Sequence, residues 1–128
     1  MKTLSIALAL LTPAALVGQP APSPEPIRGV IARHLVMITR AGPSFDKLRD
    51  HMAEARAHQA IYERLAAECA TVAGGSFEGE PVMGMTIWSE GIDEARAREL
   101  IKDDQLPKLG IVIYEFRTLA VRMGSLKK

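Results

Sequence analysis

Residues 58–75 read HQAIYERLAAECATVAGG, and the change of period within this stretch decides the fold. Up to about Cys69 the apolar residues recur every three or four positions, as they do along one face of an α-helix. From Thr71 to Phe77 the chain reads as a short strand, interrupted by Gly74 and Gly75. Glycines there permit a bulge or a close backbone approach. The pair is not a phosphate loop, because neither the lysine nor the following helix of such a loop is present. A helix that runs directly into a strand is the central joint of an α+β chain.

Upstream, the same helix extends back to Ser44, which can cap it, with Asp46 and Asp50 favourable near its positive end. Leu48, Met52, Ala55, Gln59, Tyr62 and Ala66 define one face, flanked by His51, His58 and Cys69. Asp50, Glu54, Arg64 and Glu68 fall on the solvated side. Cys69 is the only cysteine, so no intramolecular disulfide forms, and it reads as a small buried hydrophobe. Before the helix, Val30 to Thr39 (VIARHLVMIT) is a first strand that ends in the turn Arg40-Ala41-Gly42-Pro43. Alternation sets Arg33, Leu35 and Met37 on one face and His34, Val36 and Ile38 on the other. His34 reads as a structural histidine with a satisfied ring.

Downstream, Ser76 to Pro81 is a turn and Val82 to Trp88 a third strand, with Met83, Met85 and Ile87 on one face. Trp88 belongs to the core or an interface. Asp93 caps a second helix, Glu94 to about Lys102. Asp103 and Asp104 follow at its end, where carboxylates oppose the helix dipole and Lys102 and Lys108 offset the charge. A last strand runs from Ile111 to about Arg122, with Val112, Tyr114 and Phe116 on one face and Glu115 and Arg117 interrupting the other. The order β-α-β-β-α-β predicts a ferredoxin-like sandwich: a four-stranded antiparallel sheet with both helices on one face. The open face then carries Leu, Met and Ile side chains, and a second subunit is its simplest cover, giving a homodimer.

The first 29 residues stand apart from this domain. Lys2 precedes an uncharged, mostly apolar run from Leu4 to Val17, followed by small residues at Gly18 and Ala21. This layout predicts a signal peptide over residues 1–21 and a secreted or periplasmic protein. The run is shorter than the ~20 apolar residues of a permanent membrane span. Residues 22–29 continue a proline-rich linker, and the folded domain occupies 30–128. The whole chain has 128 residues with 16 basic and 15 acidic side chains, too balanced to attract nucleic acid. Few aromatic residues are available to stack on bases.

His58, on the edge of the buried helical face, and Asp104, at an electrostatically poor helix end, form a candidate acid–base pair. An imidazole titrates near neutrality, and a carboxylate beside it fixes its tautomer and stabilises the imidazolium. His51 lies roughly 10 Å from His58 along the helix axis, too far for both to grip one metal ion. No metal site and no cofactor are expected.

Residues 32–119 resemble the YCII-related proteins of the dimeric α+β barrel superfamily. The matching motifs are Gly42-Pro43 after the first strand, His58 on the helix, Gly74-Gly75-Ser76, Gly84, Glu94-Ala95-Arg96, Asp104-Gln105 and Gly110-Ile111. Ser76 and Gln105 stand where the family pattern has prolines. The resemblance implies a dimeric barrel in which His58 and Asp104 meet in a pocket as a catalytic pair. It also implies a small-molecule ligand and proton-transfer chemistry of the elimination, dehydrohalogenation or isomerisation type. The alternative is a non-catalytic module that binds a small ligand or serves as a structural dimer.

Overall fold

The computed structural model describes residues 28–81 and 83–126. The expected signal peptide, and the linker as far as residue 27, lie outside the described residues. Eight elements follow in order. They are β1 (Ala32–Ala41), a 3₁₀ helix (Phe45–His51), α1 (Met52–Ala67), β2 (Thr71–Ser76), β3 (Met83–Trp88), α2 (Glu94–Leu100), α3 (Gln105–Lys108) and β4 (Val112–Val121). The strands form one antiparallel sheet in the order β2-β3-β1-β4. This is an α+β architecture, with β1 pairing along its whole length with β4, from Ala32↔Val121 to Ala41↔Val112.

One face of the sheet carries the core. Met37 and Trp88 from the sheet pack with Leu65 of α1 and with Ala97 and Ile101 at α2. Both helices therefore cover the same face. Burying a side chain the size of Met37 or Leu65 contributes roughly 1.5–3 kcal/mol. A smaller cluster of Leu106, Ile111 and Val112 receives Phe45 and Leu48. The opposite face holds Ile38, Met85, Ile87, Ile113 and Leu119, and among these Ile113 and Leu119 are well exposed. On that face Glu115, read as an interruption, pairs with Arg40 at 2.7 Å.

The helix expected from Ser44 to Cys69 is two helices. Ser44 makes no side-chain cap, and its N–H instead donates to the Gly110 carbonyl at 2.9 Å. The segment that follows winds as 3₁₀, in which side chains three apart stand in line. That alignment sends both Phe45 and Leu48 into the smaller cluster. Along α1 the residues packed into the main core are Ile61, Tyr62 and Leu65. The stripe containing Ala55, Gln59, Tyr62 and Ala66 borders a cleft instead, and Met52 is exposed.

Cys69 departs from the reading as a buried hydrophobe: it is exposed. The Ala70 N–H reaches back to Leu65 and the Cys69 N–H to Ala66, which is a Schellman ending. That ending places Cys69 in the left-handed region at φ 60, a position normally given to glycine. The irregularity in β2 lies between Thr71 and Ala73, not at the two glycines. The capping of α2 is as expected, with Asp93 accepting from the Arg96 N–H at 2.8 Å. His34 is buried and its Nδ1 meets the Trp88 carbonyl at 2.8 Å, so it is a satisfied structural histidine.

Asp104 is placed by a turn that the sequence reading missed. It does not hang at the C-terminus of α2. It is the N-cap of α3, where its Oδ1 accepts from the Leu106 N–H at 3.2 Å. The helix dipole there favours a carboxylate. Pro107 falls in the first turn of α3, where a missing N–H costs no helical hydrogen bond.

Candidate active site

The capping turn of α3 delivers the Asp104 carboxylate beneath α1, where its side chain is wholly shielded from solvent. Oδ1 is used by the cap. Oδ2 receives His58 Nδ1 at 2.9 Å, the Tyr62 hydroxyl at 3.3 Å and the Tyr114 hydroxyl at still closer range. Tyr114 also lies 3.3 Å from His58 Nδ1. His58 and Tyr62, four residues apart on α1, are therefore on one face, with ring centroids 4.8 Å apart and tilted by 53°. The structure thus brings together both residues singled out in the sequence, His58 and Asp104. It adds two that were not, Tyr62 and Tyr114.

The electrostatics follow from this packing. Burial alone pushes the Asp104 carboxyl up. Hydrogen bonds from His58 and Tyr114, the charge His58 carries when protonated, and the Leu106 N–H outweigh burial and hold it below its usual value. Both phenols are pushed up. For Tyr114 the causes are burial, then Tyr62, then Asp104. For Tyr62 burial leads, opposed by the hydrogen bond to Tyr114 and reinforced by Asp104. The carboxylate is ionised and both phenols keep their protons. An ionised acceptor requires that His58 Nδ1 carry the hydrogen, so in the neutral form of the ring it is Nε2 that has the lone pair.

His58 and Tyr62 line a cleft of about 630 Å³ between α1 and the sheet. The cleft is open because facing side chains are small: Ala55 and Ala66 on the helix, and Gly74, Ser76, Gly84 and Thr86 on the sheet. Met37, Leu48 and Leu106 supply apolar wall. A smaller cavity of about 330 Å³ borders Asp104 and Tyr114. His51 takes no part and lies 3.7 Å from Glu54. Among the described residues no three His, Cys, Asp or Glu side chains converge so as to hold a metal ion. Among the same residues no helix is long and apolar enough to cross a membrane.

Compared with models of protein families, with curated proteins and with solved structures, the chain matches none.

Proposed function

We propose that this chain is a secreted or periplasmic, YCII-like enzyme acting on a small molecule, with His58 as general base and acid and Asp104 as its orienting partner. The observation that carries the proposal is the 2.9 Å contact between His58 Nδ1 and a solvent-shielded carboxylate, made at the wall of a largely apolar cleft. With Nδ1–H held by Asp104, the Nε2 lone pair takes a proton from the ligand. The imidazolium that results is stabilised by Asp104 and returns the proton to a leaving group or to another carbon. Elimination, dehydrohalogenation and isomerisation all need this and no covalent intermediate.

The test is a general-base probe, 5-nitrobenzisoxazole, whose C–H deprotonation breaks the ring N–O bond and releases a coloured phenolate. Turnover above buffer is expected, falling at least about 100-fold in His58→Ala. Asp104→Asn should fall comparably, and the double variant should be little worse than either single one. Undiminished turnover in His58→Ala would remove it as the base. Binding of the probe without turnover in the wild-type protein would favour the ligand-binding module instead.

The fold within this proposal is ferredoxin-like and the assembly a dimeric α+β barrel. Support for the first comes from the β-α-β-β-α-β order, the strand order β2-β3-β1-β4 and the two helices on one face. Support for the second comes from the apolar open face with Ile113 and Leu119 exposed. Native mass spectrometry of exported protein checks assembly and export together. The expected species is a dimer of chains lacking the leader through at least Gly18. A monomer would refute the barrel, and a retained leader would refute export.

A further inference from the structure

We infer that Tyr62 is a ligand-facing hydrogen-bond donor, whose hydroxyl leaves Asp104 to hold a ligand oxygen that becomes negative as His58 removes the proton. The inference rests on the reading of His58 as the base and adds the chemistry of the molecule it acts on. Three side-chain donors converge on one oxygen of Asp104, more than its two lone pairs accommodate well. The Tyr62 bond to that oxygen, at 3.3 Å, is the longest of them, so it is the one the carboxylate releases at least cost. It is also the phenol that borders the cleft, whereas Tyr114 borders the smaller cavity. Its ring lies against the His58 ring, with centroids 4.8 Å apart, and both side chains line the same cleft.

The rest of the cleft narrows the ligand. Arg40, the other basic residue on its border, is committed to Glu115 at 2.7 Å. Glu63 places a carboxylate on the helix wall, where it holds Gln59 at 2.8 Å. A ligand that entered as an anion would meet that charge with no free cation opposite it among the described residues that line the cleft. The ligand class is therefore a small, largely apolar, neutral molecule with a carbonyl or hydroxyl oxygen that bears or is conjugated to its acidic proton. In the step, the ligand's C–H or O–H bond breaks and its proton bonds to Nε2. The electron pair comes to rest on the oxygen. Tyr62, its own ionisation suppressed chiefly by burial, donates to that oxygen and keeps its proton.

Two probes test this, 4-nitrophenol, which can be bound as the coloured phenolate, and nitrobenzene, which cannot ionise. The wild-type protein should bind both and shift the first toward phenolate at a pH where the free phenol is mostly protonated. Tyr62→Phe should bind the phenolate about tenfold more weakly, as expected for losing a hydrogen bond to a charged group. Its affinity for nitrobenzene should stay within about twofold of wild type, which also shows that the variant is folded. Tyr114→Phe should weaken phenolate binding less than Tyr62→Phe does. If Tyr62→Phe binds and ionises the phenol like wild type while His58→Ala does not, the inference falls and the reading of His58 as base stands. If neither probe binds the wild-type protein, the cleft is not a ligand site and both fall.

Discussion

Asp104→Ala should lower the free energy of unfolding by about 3–5 kcal/mol, since each buried donor left without its acceptor costs about 1–3 kcal/mol and the lost cap about 1 kcal/mol. The substitution strands the His58 Nδ1–H, two phenol hydroxyls and the Leu106 N–H together, all of which converge on this one carboxylate. It also uncaps α3. Asp104→Asn keeps an acceptor for the cap and should cost less. The pH dependence separates the charge from the shape. Asp104 is held below its usual value in the fold, so its contribution is fully present above the unfolded value of about 3.9. That contribution is lost as pH falls through the lower, folded value. Denaturant melts of wild type and Asp104→Asn should therefore differ at pH 5 and above, and converge as the pH falls from about 4 towards the lower, folded value. A constant difference down to pH 2, or a loss under 1 kcal/mol in Asp104→Ala, would mean that the carboxylate is not the centre of the network.

The elements legible in the sequence were those with a local cause. The strand patterns over Val30–Thr39 and from Ile111 to about Arg122, and the Asp93 cap, are written in short windows, and they match β1 and β4 to within about two residues and the start of α2. The start of α3 was equally local. Residues 104–107 (DQLP) form a helix-start pattern, which the adjacent end of α2 masks. The 3₁₀ helix was not legible in this way. The Ser44 N–H is bonded to Gly110, sixty-six residues away, and Phe45 and Leu48 pack on a cluster equally remote in sequence, contacts that no propensity encodes.

The site divides along the same line. His58 and Asp104 have chemistry that draws attention on its own. Tyr62 and Tyr114 fall in the sequence at apolar positions of a helix face and a strand face, and a tyrosine ring fits either. A partial signal existed. A phenol on a buried face usually finds a partner for its hydroxyl, and Tyr62 follows His58 by one helical turn. What the sequence could not supply is that the partner is the same oxygen of Asp104 for both phenols, across separations of forty-two and ten residues. The helix stripe through Ala55, Gln59 and Ala66 is a related case. It has the spacing of a core face, yet small and polar residues recur along it because a cleft, not a core, lies against it.

Gly42→Ala should cost about 3–5 kcal/mol and should disturb the site from a distance. A Cβ at Gly42 would collide with the Gly110 carbonyl oxygen, and would lie 2.8 Å from the Gly110 carbonyl carbon and 3.0 Å from that of Ile111. These are backbone atoms, so no side chain can turn aside to make room. The end of β1 and the α3–β4 connection must separate instead. Separation breaks the Gly42 N–H bond to Ile111 at 2.8 Å and the Ser44 N–H bond to Gly110 at 2.9 Å. Two backbone bonds contribute about 1 kcal/mol each, and forced overpacking adds roughly 1–3 kcal/mol. The same movement loosens Leu106 and Ile111 from Phe45 and Leu48. Leu106 carries the N–H that fixes Asp104, so the capping turn and the carboxylate shift with it. Gly75→Ala is the control. Its Cβ meets nothing within 4 Å, and its stability should stay within about 0.5 kcal/mol of wild type. Chemical denaturation of the two variants reads the difference directly. If Gly42→Ala were as stable as Gly75→Ala, the close approach of β1 to the α3–β4 connection would not exist in solution, and the positioning of Asp104 from that side would fail with it.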